Sequence, residues 1–146
     1  MRNLYRKLAP TLLLAAVAGT AHAGPTPERA ASCVAALKVR ADALTQRFQA
    51  GDANVQAELT KVLEYGYTFI GDAYLNGERD KKAAEDRLKA AQEAQTGFSQ
   101  EQMAQRQAGC QAEAIKLLAE APAINRMFIA NAARARIAKL KKNGSG

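Results

Sequence analysis

The chain is poor in the residues that do chemistry. It has a single histidine, His22, two cysteines and no tryptophan, and only 5% of it is aromatic. Without histidine beyond position 22, Ser–His and Cys–His nucleophilic pairs cannot be built in the body of the protein. Zinc hydrolases of the H-E-x-x-H kind and di-iron bundles based on Glu-x-x-His are excluded on the same ground. No glycine-rich phosphate loop and no dinucleotide fingerprint occurs. No stretch alternates with the period of two that a half-buried strand requires. No apolar run after the N-terminal segment approaches the ~20 residues of a membrane span.

What is there begins with an export signature. Arg2, Arg6 and Lys7 precede a short apolar run from Leu8 to Gly19, and Ala21-His22-Ala23 supplies an Ala-x-Ala site. That order is the grammar of a cleavable secretory signal over residues 1–23. The run is too short, and interrupted too early by Pro10, to stay behind as a membrane helix. The expectation is a periplasmic or secreted protein, cut after Ala23. Processing removes the only histidine and leaves one ordinary domain over 24–142, with 143–146 a flexible end.

In an exported chain, a minimal even pair of cysteines reads as a disulfide between Cys33 and Cys110 rather than a metal or redox site. Two free buried thiols are the alternative. Charge is uneven. Arg126, Arg134, Arg136, Lys139, Lys141 and Lys142 follow Ala121 with no acid among them, whereas acids slightly outnumber bases in residues 24–120.

Helical spacing dominates the remainder. Thr26 and Pro27 suit the cap and first residue of a helix carrying Ala30, Cys33, Leu37, Ala41, Leu44 and Phe48 on one stripe, stopped by Gly51. Asp52 opens a second helix with Val55, Leu59, Val62, Gly66, Phe69, Ile70 and Ala73 on its apolar face; Gly66 there suggests a close helix crossing. A third helix, about Glu78 to Thr96, is charged and alanine-rich, and is expected to be the most exposed. Ser99 with Gln102 resembles a capping box that starts a fourth helix through Cys110, Ala114, Leu117 and Leu118. Pro122 breaks that helix and starts a fifth. The predicted fold is all-α: a bundle of four to five helices stapled by one disulfide.

Tyr67, Ile70, Gly71, Tyr74, Ala83 and Ala90 follow a known spacing, and the segment 65–95 resembles a single tetratricopeptide-like helical hairpin. It departs from that family at Arg87, where a bulky aromatic is usual, and at Gln95, where proline is usual. No second copy lies one period of ~34 residues away. The resemblance implies a protein-binding hairpin, since the family's repeats serve as interaction surfaces.

Two carboxylates alone can hydrolyse a glycoside, and Glu64 and Asp72 are the candidates for such a pair. Eight residues along one helix separates them by ~12 Å of rise, beyond the usual carboxylate spacings. Asp72, Asn76 and Gly77 are in part like a calcium loop, but Tyr74 and Ala83 stand where ligands are needed. The sequence therefore predicts no enzyme, no cofactor and no metal.

Recognition is the remaining role, on two surfaces. Tyr65, Tyr67 and Tyr74 offer rigid apolar bodies with polar tips. The fifth helix carries two opposed apolar faces, Ile124/Met127/Phe128/Asn131/Ala135/Ala138 and Ile129/Ala133/Ile137/Leu140, with Arg126, Arg134, Arg136, Lys139, Lys141 and Lys142 between them. One face must pack on the body. The expected partner is a periplasmic protein, in a chaperone-, scaffold- or immunity-type role. Anionic lipid or cell-wall polymer at the envelope is the alternative, through the basic helix. Export disfavours nucleic acid.

Overall fold

The computed structural model describes residues 24–143. The signal-peptide reading of 1–23 lies outside the described residues, as do 144–146 of the C-terminal end; Asn143 closes the last helix. Five α-helices follow one another: α1 (Pro27–Gln49), α2 (Gln56–Leu75), α3 (Lys81–Gln95), α4 (Gln100–Glu120) and α5 (Ala123–Asn143), with a 3-10 turn at Ala53–Val55 before α2. There is no strand among the described residues.

The helix starts obey local chemistry. Thr26 accepts a hydrogen bond from the Arg29 backbone N–H, with Pro27 as the first helical residue. Asp80 caps α3 at the Lys82 and Ala83 N–H groups. Ser99 and Gln102 form a reciprocal capping box on α4. Asp52 caps the 3-10 turn through Asn54 rather than α2 itself. Gly51 and Gly77 end α1 and α2 with positive φ, the backbone region that a Cβ penalises.

The hub is α1. It packs against α2, α3 and α4, while α5 lies mainly on α2 and α4 touches both α1 and α2. Being covered from several sides, α1 buries Ala35 and Ala36 as well as the Cys33–Leu37–Ala41–Leu44 stripe. Leu37, Leu59 and Phe69 are the largest fully buried side chains, and they centre a core completed by Val55, Val62, Ile137 and Leu140. Cys33 and Cys110 are joined, both fully buried, and bridge α1 to α4. The helical, disulfide-stapled architecture is as the periodicity predicted.

Two local readings change. Ile70 is not core: α2 turns Phe69 inward and leaves its neighbour half exposed. Gly66 is not a close crossing, since a Cβ there would meet nothing within 4 Å outside its own helix backbone. Helix α3 lies against α1, and Gly71 likewise has open space around it. Gln95, buried at the end of α3, ties that helix to α1 by donating from Nε2 to the Ser32 carbonyl at 2.9 Å. As expected, α3 buries no large apolar side chain.

Candidate functional site

The C-terminal turn of α2 meets the corner where α4 passes into α5, and between them lies a groove of about 410 Å³. Leu75, Leu117, Pro122, Phe128 and Ile129 give it apolar walls; Thr68, Asp72, Asn76, Glu120 and Asn125 supply polar atoms. Pro122 makes this corner. It ends α4, and Arg126 folds back to donate to the Ala121 carbonyl at 2.7 Å, which satisfies one of the carbonyls a helix end leaves open. Tyr74 stands on the ridge beside the groove, lines a second cleft with Ile70 and Leu88, and carries the Arg79 guanidinium over its ring at 5.0 Å.

Both α2 and α5 carry large apolar side chains open to water. Ile70, Tyr74, Leu75, Ile124, Met127 and Phe128 are each between 48% and 62% exposed. On α5 the ambiguity of two apolar faces is settled: Ala133, Ile137 and Leu140 are buried, with Ile129 half-buried beside them. Ile124, Met127 and Phe128 point away from the bundle, together with Asn131, Ala135 and Ala138. Large side chains half open to water on two adjoining helix ends form the kind of patch that marks interaction sites.

The three tyrosines separate. Tyr65 packs against the core. Tyr67 lies half-buried in a cleft between α1 and α2 with Val34, Leu37, Val62 and Arg136. Only Tyr74 is exposed at the corner. The cations also differ. Arg126 closes the corner, Arg134 donates to Asn131 at 2.6 Å, and Lys141 lies near Gln56 and Thr60. Lys139 and Lys142 are exposed toward the far end of α5. The bases of α5 therefore do not form one cluster, and among the described residues no lysine or arginine lines the groove.

Glu64 and Asp72 do not converge. Glu64 is paired with Lys61 at 3.0 Å, whereas Asp72 faces the groove and accepts from Asn76 Nδ2 at 3.0 Å. Burial pushes the Asp72 carboxyl above its ordinary range, the Asn76 hydrogen bond lowers it, and the charge of Glu113 on α4 raises it further. Glu113 is itself held by Arg29 at 2.9 Å. Among the described residues no group of three or more histidine, cysteine or carboxylate side chains gathers as a metal site would, and no helix is long and apolar enough to cross a membrane.

Sequence reasoning missed Leu75 and Gly24. Leu75 falls off the apolar stripe of α2, and only the helix end at Asn76 leaves it uncovered. Gly24 reads as leader, yet it lies against Asp72 and Asn76 and lines the groove. No family model, curated protein or solved structure matches this chain.

Proposed function

We propose that the chain is an exported, non-enzymatic protein-interaction module, working in the periplasm or outside the cell after cleavage following Ala23. The export signature supports the compartment, and a disulfide is at home in an oxidising one. One observation carries the role: Tyr74 and Leu75 of α2 and Phe128 of α5, three large side chains more than half exposed, line one groove. A partner side chain seated between Leu75 and Phe128 would remove both from water and find Asn76, Asn125 and Glu120 at the rim. Such an apolar centre with polar edges is how binding energy is concentrated in interfaces.

The test is capture from periplasmic extract with the oxidised domain, repeated with Leu75→Asp, Phe128→Asp and, as a control exposed elsewhere on α1, Val39→Asp. A stoichiometric protein partner that survives moderate salt, persists with Val39→Asp and is lost with both groove variants is the expected result. Retention by Leu75→Asp and Phe128→Asp refutes the groove as its seat.

A second reading has its own observation. Lys139 and Lys142 are exposed on the last turns of α5, beyond the outward-facing Ile124, Met127 and Phe128. An amphipathic face of that kind suits an anionic lipid or polymer surface. Binding to anionic vesicles that vanishes on reversal of Lys139 and Lys142, and weakens as salt rises, is its signature.

A further inference from the structure

Among the described residues, none supplies Asp72 with a cation. Of those that line the groove, none is a lysine or arginine that could pair with it. From α4, Glu113 adds negative charge, and its own counter-ion, Arg29 of α1, is already engaged. From α2 the carboxylate receives only the neutral Asn76 amide, and α5 contributes Asn125, Phe128 and Ile129, none of which is charged.

Against this carboxylate lies Gly24. A Cβ built on it would stand 2.6 Å from one Asp72 oxygen and 3.1 Å from the other, so no larger residue fits without displacement. With ordinary backbone dimensions, the Gly24 nitrogen then lies within about 5 Å of the nearer oxygen. The segment has little freedom to leave. Pro25 restricts φ, and Thr26 is tied down as the cap of α1. While residue 23 is attached, that nitrogen is a neutral peptide N–H. Cleavage after Ala23 turns it into an ammonium group at a place where the described residues supply no positive charge.

We propose that Asp72, with Asn76 beside it, is a receptor for the chain's own processed N-terminus, so that removal of the leader creates a Gly24–Asp72 ion pair that completes one wall of the groove. The inference rests on the export reading, and it adds a maturation step: cleavage supplies the Asp72 carboxylate with a cation that the described residues around it do not provide. The ligand class is a primary α-ammonium on a residue without a side chain.

The experiment compares three oxidised proteins that all contain the entire described core: the chain starting at Gly24, the same chain acetylated on its α-nitrogen, and the chain retaining Ala23. The Asp72 carboxyl is titrated by NMR in each, and the Gly24 amine in the first, with and without Asp72→Asn. The Asp72 midpoint is expected to fall by about one unit or more when the Gly24 amine is free. The Gly24 amine is expected to titrate above the usual 7.7–8.0, and to return there in Asp72→Asn. An Asp72 midpoint that is the same in all three proteins overturns the pairing while leaving export untouched. Intact-mass analysis of protein recovered from the periplasm separates the two claims: a first residue other than Gly24 overturns both.

Discussion

Replacing Cys33 and Cys110 together by alanine tests the main energetic claim about this fold. The bridge closes a loop with a sequence separation of 77. The chain-entropy relation for a loop of that size gives about 4.5 kcal/mol at 25 °C. A domain of this size has only about 5–15 kcal/mol of net stability, so the double variant should fold but sit close to its limit. The loss should also be uneven. Cys110 and Ala114 are the only fully buried side chains of α4, whereas α1 and α2 share Leu37, Leu44, Leu59, Val62 and Phe69. Without the bridge, α4 is held by Ala114, half-buried Leu117, the Arg29–Glu113 pair and the Gln107 hydrogen bond to the Ala36 carbonyl. Urea unfolding read by circular dichroism should show a loss of about 4 kcal/mol, with a larger m-value because the unfolded chain is no longer cross-linked. Hydrogen exchange should accelerate first in α4 and later in α1 and α2. A loss below about 2 kcal/mol, outside the range expected for removing a native disulfide, would refute the entropic account. Equal acceleration in all helices would refute the view of α4 as a weakly packed helix pinned by its cysteine.

Two further outcomes follow from single side chains. Phe69→Ala removes a fully buried ring and should cost about 3–5 kcal/mol in urea unfolding, whereas Ile70→Ala, one residue on and half exposed, should cost under about 1 kcal/mol; similar losses would contradict the orientation of α2. In the chain that retains Ala23, the Asp72 carboxyl titrates above its ordinary value of 3.8 because burial disfavours its charge. The stability this group contributes is therefore full below that value and is lost as pH rises through the raised one. Asp72→Asn should flatten that part of the stability–pH curve, and an unchanged curve would refute the assignment.

Most of the architecture was legible because helix caps and apolar spacing are local. Thr26, Pro27, Ser99, Gln102 and Pro122 announce their helix ends through backbone chemistry that needs no tertiary context. Each cysteine could be placed on the core stripe of its helix by counting residues. The errors fall where spacing alone does not say which neighbour covers a face. Phe69 and Ile70 both belong to the apolar side of α2, yet α1, α4 and α5 cover only the Phe69 side fully. Gly66 looks like a packing glycine in sequence, but no neighbouring element comes close to it.

The candidate site was illegible for a related reason. α5 is apolar on opposite sides, so its sequence cannot rank them; the choice is made by which side complements α2, and Ala133, Ile137 and Leu140 match it with smaller and branched side chains. The side left out carries Ile124, Met127 and Phe128 at its first turns, beside the groove, and its exposed lysines at its last. That gradient along one helix separates the two functional readings physically. Binding seated at the apolar end depends on shape and should tolerate salt, while binding seated at the basic end depends on exposed charge and should not. A helix with both ends intact cannot tell them apart, but Phe128→Asp and reversal of Lys139 and Lys142 each remove one and leave the other. Whichever substitution abolishes binding identifies the end of α5 that does the work.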